Sequence, residues 1–169
     1  MSAFLFRLRG NGTALPPAPP ARSILLAGLG GFLAIAVVAG LTEGTSVALL
    51  LGSFGASCVL VFGFPDAPFS QPRNVVLGHG LSSFVGLACL AAFGPHSWAA
   101  ALAVALAIMG MMALRCVHPP AGSNPVIVFL TAPGWSFLLT PTLAGALLLV
   151  AVALVYNNTS RPGRYPQYW

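Results

Sequence analysis

Six apolar stretches, separated by short runs rich in Gly, Pro and polar residues, divide the chain at roughly 23–41, 45–64, 74–93, 97–114, 119–131 and 136–156. Most approach the ~20 residues a helix needs to cross ~30 Å of hydrocarbon. The fifth is short. Wound as helix, its 13 residues reach only about 20 Å. Residues 115–118, if extended, add about 13 Å, so a half-unwound crossing is long enough to span, with a re-entrant segment as the alternative. The pattern predicts an all-α membrane protein, a helical bundle of about six membrane segments.

Sliding the chain against itself by 67 residues lays Gly55 on Gly122, Val59-Leu60-Val61-Phe62 on Val126-Ile127-Val128-Phe129, and Gly78 on Gly145. Pro72 and Pro141 fall two residues from register. The bundle is thus expected as two inverted three-segment repeats, about 23–93 and 97–156, with the second and fifth segments interrupted. Interrupted helices at matching places in inverted repeats point to a transport site near the bilayer midplane. Residues 1–22, with Pro16-Pro17-Ala18-Pro19-Pro20, read as a flexible cytoplasmic tail lacking the apolar region and cleavage site of a signal peptide. One transmembrane domain, 23–169, follows, with a C-terminal tail at 157–169.

Composition sharpens this picture. With 57% hydrophobic and 5% charged residues and a mean hydropathy of +0.90, the chain falls far below the ~25% charge of soluble domains. The charges are seven arginines, Glu43 and Asp66. Six crossings from an inside N-terminus put Arg7, Arg9, Arg22, Arg73, Arg115, Arg161 and Arg164 on one side, as cytoplasmic arginines should be. Both termini are then cytoplasmic, in a bacterial inner membrane. Arginines scattered singly do not make a nucleic-acid-binding patch. Cys58, Cys89 and Cys116 read as small buried hydrophobes, and Cys116 with His118 finds no second pair at metal-ligand spacing. No metal or cofactor is expected, and no catalytic set is evident, so the chain is not read as an enzyme.

The run Arg115-Cys116-Val117-His118-Pro119-Pro120-Ala121-Gly122-Ser123-Asn124-Pro125 sets ionisable groups and prolines between oily segments. Hydrocarbon tolerates these only where protein or water surrounds them. Proline fits at a helix start, so a helix beginning at Pro119 leaves the N–H groups of Ala121, Gly122 and Ser123 free. Alternatively it begins at Pro125 with Asn124 as N-cap. Either version offers donors and a positive dipole end to an anion. In the first half, Gly52-Ser53-Phe54-Gly55-Ala56-Ser57 could supply a second unwound turn. Arg73 and Arg115 read either as topology markers at the interface or as anion-attracting residues, and Asp66 as a partner for Arg73. His79 is either a neutral imidazole tied to a neighbouring helix or part of the pathway. His96 is solvated. Ser53, Ser82 and Ser83 commonly glue helices together.

In this order, Gly52 to Ser57, Gln71-Pro72-Arg73-Asn74, Gly78-His79, His118-Pro119-Pro120-Ala121-Gly122, Tyr156-Asn157-Asn158, Tyr165-Pro166 and Tyr168-Trp169 make the chain similar to the HPP family of integral membrane proteins. The resemblance covers about 23–169. It implies a membrane fold usually described with four helices, fewer than the six counted here. Some members carry CBS domains, which these residues do not contain, and some are linked to nitrite transport.

The residues themselves support a small anion, because no carboxylate lies mid-membrane to hold a cation. The expectation is a permease for a small monovalent anion, nitrite first. Substrate-binding candidates are Ser53, Gly55, Ser57, His79, His118, Pro119, Pro120, Ala121, Gly122, Ser123 and Asn124, with Arg73 and Arg115 at the mouth. Histidine titrates near pH ~6.5, so His79 or His118 could carry a co-transported proton. The rival expectation is a non-transporting membrane subunit or sensor in which the Pro-Pro turn is a packing corner. The expected partners are a small inorganic anion, the bilayer and further copies of the chain.

Overall fold

The structure, a computed structural model, describes residues 7–8 and 11–169. Most of the tail before residue 11, including Arg9, lies outside the described residues. Among the described residues from position 11 on, six α-helices follow: α1 (Ala21–Thr45), α2 (Ser53–Gly63), α3 (Pro72–Phe93), α4 (Ser97–Ala113), α5 (Asn124–Thr131) and α6 (Ala144–Ser160). Short 3₁₀ turns occupy Pro68–Ser70, Pro119–Ser123 and Trp135–Leu138, and a π turn occupies Leu139–Leu143. The described residues contain no strand. Three helical runs are long and apolar enough to cross a membrane, namely Ala21–Thr45, Pro72–Phe93 and the composite Trp135–Ser160.

Local chemistry sets the boundaries. Ser46 is left-handed at φ 57° and stops α1, and the Leu49 N–H donates to the Thr42 hydroxyl over 3.2 Å, turning the chain back. Pro72 sits in the first turn of α3, where its missing N–H has no role. Gly94, at φ 73°, ends it. Arg115, at φ 52°, follows α4. Pro141 has no N–H to give the turn before it, and Thr140 there is non-helical at φ −133°, ψ 124°.

The helix ends converge. α1 starts near α6, where the Tyr156 hydroxyl donates to Leu26 O. α2 ends beside the end of α6, where Asn157 Nδ2 donates to Val61 O and Arg161 to Phe62 O. α3 starts under the C-terminal tail, where Tyr165 donates to Ser70 O and the Gln167 N–H to Gln71 Oε1. Arg73 on α3 donates to the Leu114 and Arg115 carbonyls after α4. Arg22, Arg73, Arg115, Arg161 and Arg164 therefore share one end of the bundle. α1 and α3 begin there, while α4 and α6 end there.

The core, with Phe54, Phe62, Val75, Val128 and Leu149, sits among α2, α3, α5 and α6. The outside is oily. Leu25, Phe32, Leu130 and Val155 are each more than 60% exposed, a surface suited to lipid chains and too apolar for water. Trp98, Trp135 and Trp169 are exposed near the ends, where interfacial aromatics collect.

Four expectations change. α1 begins at Ala21 and α6 runs to Ser160, so the tails are shorter than 1–22 and 157–169. The Gly52 to Ser57 run is not unwound; Ser53 opens α2, and the irregular stretch precedes it at 46–52. The sixth segment is not one regular helix. Asp66 accepts from Gln167 Nε2, while Arg73 caps carbonyls, so these two do not pair.

Candidate functional site

Two helix starts meet inside the bundle. Ser53 opens α2, about 15 Å above that helix's last residue. Its hydroxyl donates to Asn124 Oδ1, in the first turn of α5, over 2.8 Å. Asn124 Nδ2 lies 2.9 Å from Ser83 Oγ, 3.1 Å from His79 Nδ1 and 3.3 Å from His79 O. The carbonyl can only accept, which fixes the amide orientation. The amide nitrogen cannot accept, so His79 Nδ1 is the acceptor, and the two amide hydrogens are shared among His79 Nδ1, His79 O and Ser83 Oγ; Ser83 shares a 3.0 Å bond with Thr142.

The hydrogens on both imidazoles follow. His79 Nδ1 accepts, so in the neutral ring its Nε2 carries the hydrogen and donates to Ser57 Oγ at 2.9 Å. His118 Nδ1 lies 2.6 Å from the Phe69 carbonyl and must donate, leaving Nε2 to accept. The single Ser57 hydrogen then goes to His118 Nε2 at 2.8 Å. A directional chain runs from Asn124 through His79, Ser57 and His118 to Phe69 O. If His118 gains a proton, Ser57 can turn its hydrogen to Ser53 O, 3.3 Å away, and accept from both rings. No heavy atom need move. Ser57, His79, His118 and Asn124 are all at 0% exposure, and the ring centroids lie 5.0 Å apart.

Close approach makes this possible. A Cβ at Gly78 would lie 2.8 Å from His118 Cβ and 3.1 Å from Cys116 O, so only glycine lets residues 116–118 run against α3. At Gly145 a Cβ would strike Leu49 O and the Phe54 ring, so the 46–52 stretch passes α6 in the same manner. Asn74 Nδ2 donates to Val117 O at 2.9 Å, and Ser82 to Ala121 O at 2.5 Å. The polar face of α3 thereby holds the His118-Pro119-Pro120 turn along its length.

Of the residues expected from sequence, Ser53, Ser57, His79, His118 and Asn124 come together, with Pro120 and Ala121 buried beside them. Gly55 points to the opposite, exposed side of α2, and Pro119 is exposed. Ser123 is exposed and bonded to Pro120 O; Gly122 is half-buried. The Ala121 N–H is not free, since it donates to His118 O at 2.9 Å. Asn124 is not an N-cap; its side chain turns into the core instead. Arg73 and Arg115 stay at the bundle end, outside the cluster. Ser82 has the gluing role expected of it. Thr142 and the Phe69 carbonyl were not anticipated, nor was the place of Ser83 in the cluster. Positions 79, 82 and 83 share one helical face, which was the available signal for Ser83.

A family model described as "HPP, transmembrane region" matches residues 16–166. The chain belongs to this HPP transmembrane family. Two similar proteins of Dictyostelium discoideum, each called only a transmembrane protein, are 39% identical over 83% of this chain and 37% identical over 91% of it. The chain spans 49% and 58% of these relatives, about half their length. No solved structure matches.

Proposed function

We propose that this HPP-family chain is a membrane permease for a small monovalent anion, with nitrite as the first candidate. The observation that carries the reading is the meeting of two helix starts, Ser53 of α2 and Asn124 of α5, beside two histidines and no carboxylate. Helix starts present positive dipole ends, and donors aimed inward replace an anion's hydration shell. A bare anion in hydrocarbon is very costly unless a countercharge accompanies it. A proton taken up by the His79–Ser57–His118 chain supplies that charge. Glu43 lies in the last turn of α1 and Asp66 in the loop between α2 and α3, and Arg73 is turned to the Leu114 and Arg115 carbonyls, so the imidazoles are the ionisable groups of the cluster.

In the arrangement described, the donors satisfy one another. The anion enters as the halves part, exchanging the Ser53–Asn124 and Ser57–His118 bonds for bonds to itself. Moving with one proton, it crosses without net charge and escapes the ~2.3 kcal/mol per 100 mV that opposes anion entry into an inside-negative cell. The 67-residue repeat supports two inverted halves that rock about the cluster. That shift lays Pro72–Phe93 on 139–160 and Pro68–Ser70 on the start of Trp135–Leu138. It also pairs Gly78 with Gly145, each packed on the irregular stretch of the other half. We place the arginine end at the cytoplasm of an inner membrane, with both termini there.

Purified protein in liposomes tests this. Nitrite flux above that of protein-free vesicles, exceeding chloride flux, is the expected result. The complete burial of the cluster favours one rival, a non-transporting subunit in which the turn is a packing corner. Absence of flux for nitrite, nitrate and chloride under any gradient would select that rival.

A further inference from the structure

At the arginine end a polar cavity of about 370 Å³ opens between the start of α1, the α2–α3 loop, the end of α6 and the C-terminal tail. Arg22, Arg161 and Arg164 line it against one carboxylate, Asp66, so positive charge is in excess. Two buried polar atoms there lack partners. Arg161 reaches Phe62 O with a terminal nitrogen, but its Nε is unbonded. Asn157, 1% exposed, gives Nδ2 to Val61 O while its Oδ1 accepts from nothing. An orphaned donor and an orphaned acceptor in one place are expensive unless a ligand meets both.

A second cavity, apolar and about 730 Å³, runs between α1 and α2. Ser23 lines both cavities, and Phe64 of the groove adjoins Pro65 of the polar one. The groove floor includes Gly28, Gly31 and Gly55, and nothing in the chain lies within 4 Å of a Cβ built at Gly28 or Gly55. A charged pocket continuous with an oily groove along the lipid-facing side of a helix is complementary to one amphipathic molecule.

We infer that the two cavities form one site for a glycerophospholipid, with its phosphate on Arg22, Arg161 and Arg164 and an acyl chain in the α1–α2 groove. A hydroxyl or ammonium beyond the phosphate donates to Asn157 Oδ1. Arginine pairs with phosphate oxygens in charge-assisted bonds, and basic pockets between helices at a membrane face hold lipid headgroups. The site lies on the α1 side of the bundle, apart from the histidine cluster, and is independent of the transport reading.

Native mass spectrometry of the full chain, released from micelles doped with phosphatidylglycerol, diacylglycerol or inorganic phosphate, tests the site. Phosphatidylglycerol is expected to stay bound, and the other two not. The Arg22→Gln/Arg164→Gln variant alters exposed side chains and should weaken lipid binding by at least about tenfold. Gly28→Leu fills the groove, leaves the arginines in place and should weaken it several-fold. Phosphate or diacylglycerol binding as tightly as phosphatidylglycerol would overturn the proposal, as would lipid binding unchanged in either variant. The lipid panel on the unaltered chain stands even if a variant fails to fold.

Discussion

At the scale of single residues, Ser57 is the position on which the chemistry turns. Its hydroxyl is the link between the two imidazole Nε2 atoms. Ser57→Ala leaves a buried donor and a buried acceptor without partners, a loss of about 1–3 kcal/mol, readable as a lowered unfolding temperature in detergent. Ser53, Ser57, His79, His118 and Asn124 were legible in the sequence because polar groups are rare in so oily a chain. Gly55 was misplaced because the run around it was read as unwound. In a helix, positions two apart from Ser53 and Ser57 face away from both. The Phe69 carbonyl could not be read at all, since every residue carries a backbone acceptor and sequence does not say where it points.

Among elements, the informative relation is between irregular backbone and the glycines that admit it. Residues 46–52 and 114–118 each run against a long helix, at Gly145 and Gly78 respectively. Gly78→Ala and Gly145→Ala should each destabilise by about 1–3 kcal/mol through overpacking. The same substitution at Gly122, where a Cβ meets open space, should change stability little. Equal losses at all three positions in thermal unfolding would count against this packing. The 67-residue alignment set the two glycines opposite each other, and Pro119-Pro120 marked the irregular backbone before α5. The first break was displaced by several residues because apolar residues 47–51 carry no proline to mark it. The irregular start of the sixth segment was missed although Pro141 was visible there.

Over the whole molecule, five arginines, the start of α1 and the end of α6 gather at one end of the described bundle. Single cysteines at Arg164 and at Gly94 in a chain stripped of Cys58, Cys89 and Cys116 should react with an impermeant maleimide from opposite sides of the membrane. Reaction of both from one side would refute the topology. Burial raises the Tyr165 phenol above its usual range. Its hold on Ser70 O is therefore fully present below the free tyrosine pKa of about 10 and is lost as pH climbs past the raised value. Tail release should accordingly appear only in strong alkali, as tyrosinate absorbance. The all-helical membrane class was legible from hydropathy alone, whereas the closure of the cluster was not, because it depends on which donors find each other across helices distant in sequence.

The most direct test of the account is proton movement with nitrite in liposomes loaded with a pH-sensitive dye. The account predicts that an inward nitrite gradient carries protons with it through the unaltered protein beyond the leak of protein-free vesicles, more steeply at low pH. In His79→Gln and His118→Gln that movement should fall to the leak. Nitrite flux equal in all three proteins and unaccompanied by protons would contradict it.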